Sequence, residues 1–228
     1  MPAETALEKP DNEDSRPATG QAMAGLAAAL ILGLAPVAHW IAPGQAIAGM
    51  LAREAVWWAS AAAILAWLRF GERLPLSSIG FRRVTWKSLV FGLLAAIATT
   101  MVMAVFYAVV IPRLHLNASA AQAEMQVILR MPLWFRVLLV LRAAVVEEIL
   151  FRGYLIEKVH QLTGSLWLAV LCSVAVFTYA HLAGWGVAHL IPVFGAGLIF
   201  ALLYAWRRDL PSNMVGHFIT DALGFLAR

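Results

Sequence analysis

Apolar residues in this chain come in long blocks, not in the narrow stripes of a soluble helix. Seven blocks can be drawn, near residues 22–42, 46–68, 88–112, 133–160, 165–183, 189–206 and 210–226. Each is close to the ~20 residues that a membrane-spanning helix needs. The fourth block is overlong, so a tilt or an extension past the bilayer as far as His160 is expected. The last is the weakest by hydropathy, because it holds Asn213, His217, Thr220 and Asp221. Between the third and fourth blocks, RLHLNASAAQAEMQVILRM reads as a short interfacial helix. The pattern predicts an all-α, polytopic membrane protein of about seven transmembrane helices.

The ends divide the chain simply. Residues 1–20 are polar, proline-containing and rather acidic, as in a disordered cytosolic tail. They lack the basic start of a signal peptide, and a cleaved leader is not expected. Residues 21–228 form the helical membrane domain.

Composition strengthens this reading. The 228 residues are 62% hydrophobic with a mean hydropathy of +0.78, and only 13% are charged. A soluble domain carries about 25% charged residues. The net charge of +4 sits in short loops, which marks topology and not a nucleic-acid surface. Arg69, Arg73, Arg82, Arg83 and Lys87 share one loop, Arg207 and Arg208 follow Trp206, and Lys158 lies near the turn after the fourth block. With seven alternating spans these fall on one side, which places the N-terminus in the cytoplasm. The single cysteine, Cys172, reads as core filler.

Ionisable residues inside the blocks are the exception to explain, since each charge at bilayer depth costs roughly 2.5–3.5 kcal/mol on insertion scales. VVEEILFRGYL holds Glu147, Glu148 and Arg152. Glu148 and Arg152 are four apart, acid first, which suits a structural pair on one helix face. Glu147 is about 100° away and has no local partner by this spacing. It therefore needs another helix, a metal or water. Gly164 marks the turn to the fifth block, and Glu147 and His181 each lie 17 residues from it. They are expected at equal depth, about 25 Å along each helix. Phe177 is one turn before His181, and His217 and Asp221 are four apart on the last block. His39, His115, His160 and His189 fall at helix ends or loops and receive no role. Arg53 and Glu54 read as interfacial or structural.

A carboxylate, two imidazoles and a second carboxylate suit water activation. Glu147 with His181 can take a proton from water, and His217, oriented by Asp221, can stabilise an oxyanion. The same set, Glu147, His181, His217 and Asp221, could instead hold a divalent metal, zinc being usual for N/O ligands. Spacing does not choose between zinc and no cofactor. No HExxH, GxSxG or phosphate-binding glycine loop is present.

In order, EExxxR (Glu147, Glu148, Arg152), FxxxH (Phe177, His181) and HxxxD (His217, Asp221) resemble the motifs of the CPBP family of intramembrane proteases. That family includes CAAX prenyl endopeptidases and bacterial Abi proteins. The resemblance covers about 133–226. It implies hydrolysis of a peptide bond in a membrane-anchored or CAAX-like protein tail, in the lipid bilayer and without nucleic acid. It implies Glu147 as activating base, His181 as its partner, and transition-state or ligand roles for His217 and Asp221. Both metalloprotease and metal-free glutamate mechanisms are assigned to the family. Asp221 stands where many relatives have asparagine. A bacterial plasma-membrane protein is the expected setting. The competing classes are a non-catalytic bacteriocin-immunity or scaffold protein and a proton-coupled transporter.

Overall fold

The computed structural model describes residues 19–34 and 47–227, so the acidic tail, His39 and the end of the first apolar block lie outside the described residues. Among the described residues the chain is all helical, with no strand. α1 is Thr19–Leu34 and α2 is Ile47–Ala66, which widens into a π turn over Trp67–Gly71. α3 starts at Trp86, capped by Thr85 and Ser88, and runs with a π turn at Phe106–Val110 to Leu114. α4 is Ser119–Leu129, at the place expected for the short helix between the third and fourth blocks. α5 covers residues 133–163 without a break: an α segment Leu133–Arg142, a π segment Ala143–Ile156, and a last α segment Glu157–Thr163. α6 (Leu166–Ala180), α7 (Leu182–Arg207) and α8 (Leu210–Phe225) complete the bundle.

Among the described residues each apolar block overlaps a helix. By length and composition, 86–114 and Leu182–Arg207 can cross a membrane. The α5–α6 turn falls at Gly164, in the left-handed conformation (φ 71°) that a glycine adopts without strain, and Ser165 caps α6. α7 starts earlier than the sixth block, because Gly186 (φ 75°) kinks it and a further turn precedes the kink.

Packing here is inverted relative to a soluble bundle. On α3 the buried positions are Ser88, Gly92, Ala95, Ala96 and Thr99, whereas Leu89, Leu93, Leu94, Ile97, Met101 and Val105 face outward. Small residues inside allow backbones to approach, and large apolar residues outside suit lipid as the solvent. Contact between α3 and α8 depends on this. A Cβ at Gly92 would lie 2.7 Å from the Ser212 carbonyl oxygen, and one at Gly216 would lie 2.8 Å from the Gly92 carbonyl oxygen. Neither backbone oxygen can move aside cheaply.

The three basic regions meet at one end of the bundle. The amide of Leu210 donates to the Gly80 carbonyl (2.9 Å), Lys158 pairs with Glu72 (2.5 Å), and Arg208 pairs with Glu157. At the same end, Asp209 accepts from Ser88 (2.9 Å) and Ser212 (2.6 Å), which ties the start of α8 to the start of α3.

Gly92→Val and Gly216→Val should each destabilise the detergent-solubilised protein by about 1–3 kcal/mol. Gly224→Ala, on the same helix with nothing within 4 Å of the added Cβ, should be neutral or slightly stabilising. Thermal unfolding followed by circular dichroism checks all three.

Candidate active site

A fully buried carboxylate organises the polar interior. Glu148 Oε1 accepts from Arg152 Nη1 (2.9 Å) and from His217 Nδ1 (2.8 Å), and Oε2 accepts from Asn213 Nδ2 (3.1 Å). Glu148, Arg152 and Asn213 are each 0% exposed. A buried ionised carboxylate needs such donors, because water cannot serve it there. Asn213 also donates to the Phe200 carbonyl (2.8 Å), so one amide ties α5, α7 and α8 together. Arg152 makes one hydrogen bond and sets its guanidinium 3.9 Å from the centre of the Phe177 ring, which gives the remaining cationic face an aromatic partner. A Cβ at Gly197 would meet that same ring at 3.0 Å, which explains the small residue on α7.

Glu147 turns away from this cluster. Its Oε1 accepts from Arg142 Nη1 at 2.6 Å, and Arg142 also grips Glu54 through Nε (3.1 Å) and Nη2 (3.4 Å). The expectation that Glu147 lacks a local partner is therefore corrected. The reason is helix width. In an α-helix, residues five apart are about 140° apart around the axis. In a π segment, hydrogen bonds run i to i+5 and stack those residues. Arg142 stands at the start of the π segment that carries Glu147. Glu54 is buried on α2 and serves as the second carboxylate on the same guanidinium, in keeping with a structural role.

The wide turns also change the depth match with α6. Ser173 Oγ donates to the Phe151 carbonyl at 2.7 Å. These residues lie nine and thirteen positions from Gly164, so α5 spends four more residues than α6 to reach the same level. By that register Glu147 faces the level of Phe177, one turn short of His181. No hydrogen bond or ion pair joins Glu147 to His181 among the described residues. His181, half-buried at the end of α6, bonds the Phe177 carbonyl through Nδ1 (2.8 Å). A carbonyl only accepts, so Nδ1 is the donor in this bond and Nε2 is the nitrogen left for another partner. The Phe177 ring lies beside the imidazole (4.6 Å between centroids), as the spacing of four predicted.

His217 has a carboxylate at each ring nitrogen: Glu148 at Nδ1, and Asp221 Oδ2 at 3.5 Å from Nε2. Phe200 stacks on the ring at 5.4 Å. The i,i+4 pairing of His217 with Asp221 is thus present, and Glu148 joins it. His189 is not at a helix end. It is buried within α7, bonds the Tyr107 hydroxyl through Nδ1, stacks on Trp185 (4.6 Å), and lies within electrostatic reach of His181 and Asp221.

These residues do not fit a metal centre. Among the described residues no group of three or more His, Cys, Asp and Glu side chains is placed to hold an ion. Glu147 already has a cation, Arg142, on one carboxylate oxygen, and the Nδ1 bonds of His181 and His217 leave Nε2 as the other ring nitrogen of each. Sequence reasoning missed Arg142, Asn213 and His189. Only the π geometry signals Arg142. Asn213, four residues before His217 on one face, was legible in principle.

Against protein-family models, residues 129–223 match type II CAAX prenyl endopeptidase, Rce1-like. No match was found among curated proteins or among solved structures. The matched region starts at the end of α4 and contains both glutamates, both motif histidines, Arg142, Asn213 and Asp221.

Arg152→Met should cost about 3–5 kcal/mol, because it leaves the Glu148 carboxylate buried with its main cation gone. Asp221→Asn, at a side chain 20% exposed, should cost under about 1 kcal/mol. Denaturant midpoints of the two variants in the same detergent give the comparison.

Proposed function

We propose, from the match of residues 129–223 to the type II CAAX prenyl endopeptidase, Rce1-like family, that the chain is a metal-free, glutamate-activated intramembrane endopeptidase of the CPBP and CAAX protease kind. Membrane embedding follows from the family and from the apolar outer faces of the helices. The observation that carries the mechanistic reading is the pair of unlike glutamates. Glu148 is saturated by three donors, whereas Glu147 has one oxygen on Arg142 and the other without a hydrogen bond. In this reading the first holds the fold and the second exchanges a proton.

In this reading Glu147 Oε2 accepts a proton from water as the water oxygen bonds to the scissile carbonyl carbon. His181, through its Nε2 lone pair, orients that water. The carbonyl π electrons move to oxygen, and His217, carrying a proton on Nε2, donates to the oxyanion from its place beside Asp221. Glu147 then returns its proton to the leaving amine nitrogen as the C–N bond breaks. Arg142, anchored by Glu54, sets the position of Glu147 and turns with it during the transfer. Substrates are protein tails anchored in or on the bilayer, and in a bacterial membrane these are peptides or protein tails of the cell itself. Seven spans with the basic end in the cytoplasm account for the apolar blocks and for the clustering of arginines.

Purified protein reconstituted in lipid, offered a fluorogenic farnesylated CAAX peptide and membrane-tethered peptides, tests this. Glu147→Gln should lower cleavage by about 100- to 10,000-fold while the protein stays folded, because Arg142 keeps Glu54 as its carboxylate partner. Wild-type cleavage should persist in a strong chelator. A Glu147→Gln variant that cleaves at the wild-type rate would sink the proposal, and abolition by chelator would replace the metal-free mechanism with a metal-dependent one. Glu54→Gln should lower kcat more mildly than Glu147→Gln and leave KM near its original value, which single-turnover kinetics resolves.

A further inference from the structure

The turn that ends α2 sends its charged side chains in opposite directions. Inward, Glu72 is buried and takes Lys158 Nζ at 2.5 Å and the Tyr154 hydroxyl at 2.7 Å. Both partners lie on α5, the helix that carries the two glutamates. Outward, Arg69 and Arg73 are exposed and have no ion-pair partner among the described residues. Both line an open groove of about 640 Å³, whose other walls include Leu65, Phe70, Pro75 and Leu76.

The backbone is built to present them. The π turn Trp67–Gly71 is closed by hydrogen bonds from Glu72 N to the Trp67 carbonyl (2.9 Å) and from Leu74 N to the Leu68 carbonyl (2.9 Å). Arg73 has φ 58°, in the left-handed region that costs a non-glycine residue roughly 1–2 kcal/mol. Such a conformation persists when its surroundings hold it, here the Glu72 clamp on one side and Pro75 on the other. Phe70, between the two arginines, is 78% exposed.

We propose that this groove binds an anionic glycerophospholipid. Two guanidinium groups on the wall of one groove suit the non-bridging oxygens of a phosphodiester, which arginine binds through paired hydrogen bonds. The apolar walls beside them accept the glycerol and the first methylenes of the acyl chains. A free phosphate has no use for those walls, and a zwitterionic lipid, whose ammonium group offsets its phosphodiester charge, gains less from two uncompensated cations than an anionic one. The groove lies beside Trp67, 37% exposed, and belongs to the end of the bundle where the other basic loops gather. Indole rings mark the headgroup level, where the surface potential of an anionic leaflet acts on arginine. The site is independent of the protease reading.

The test is native mass spectrometry of the purified full chain in neutral detergent with added phosphatidylglycerol or phosphatidylcholine. Wild type should retain phosphatidylglycerol in preference. R69Q/R73Q should weaken that retention about ten- to thirty-fold, while R82Q/R83Q, at the same end but outside the groove, should keep it. Arg73→Gly relieves the left-handed backbone while deleting one charge, so it should fold at least as well as wild type and still bind more weakly. Equal retention of the two lipids would overturn the proposal. So would equal losses in the two double variants, or displacement of phosphatidylglycerol by millimolar inorganic phosphate.

Discussion

A single ionised carboxylate, that of Glu148, sets the terms for the interior of this bundle. It sits at zero exposure and takes donors from Arg152, His217 and Asn213. Ionic groups in such a place are not a source of stability in themselves, because desolvation consumes most of the Coulomb energy. Their effect is to exclude other packings. Any rotation of α5 against α8 would strand the charge, so the pairing fixes the angular position of α5. That rotation in turn decides where Glu147, one residue earlier, points.

Helix width is the second device. The π segment of α5 brings Arg142 under Glu147 and shortens the distance that the helix covers per residue relative to α6. One guanidinium then serves Glu147 and Glu54, which fixes a carboxylate at a depth where an unpartnered one would be costly. Wide turns recur at Trp67–Gly71 and Phe106–Val110, and each coincides with a polar feature: the Glu72 clamp and the Tyr107–His189 bond. Extra residues in a helical turn re-aim side chains without breaking the hydrogen-bond ladder, which a bilayer does not tolerate.

The helices that surround this interior bury small residues and turn large ones outward. Gly92 and Gly216 let α3 and α8 meet backbone to backbone. With lipid outside there is little hydrophobic gain from helix association, so close contact and the few polar ties carry the assembly. The polar ties cluster at two levels, the Glu148 network in the middle and the Glu72, Glu157 and Asp209 pairs at the basic end.

Much of this was readable along the chain. Block length and apolar content identify the helices, because a helix satisfies its own backbone hydrogen bonds within an apolar run. The Glu148–Arg152 and His217–Asp221 pairs, and the Phe177–His181 contact, follow from a spacing of four, because these are local geometries of one helix. What the sequence left open was the partner of Glu147, the level of His181 and the place of His189. Glu147 was expected to need another helix, a metal or water, and equal spacing from Gly164 set it level with His181. Both expectations assumed a regular α-helix of 3.6 residues per turn. The π segment breaks that assumption, and no residue pattern in VVEEILFRGYL announces it. The segment is tied to Ser173 on α6 and to Asn213 and His217 on α8, contacts between distant parts of the chain that only the tertiary structure records.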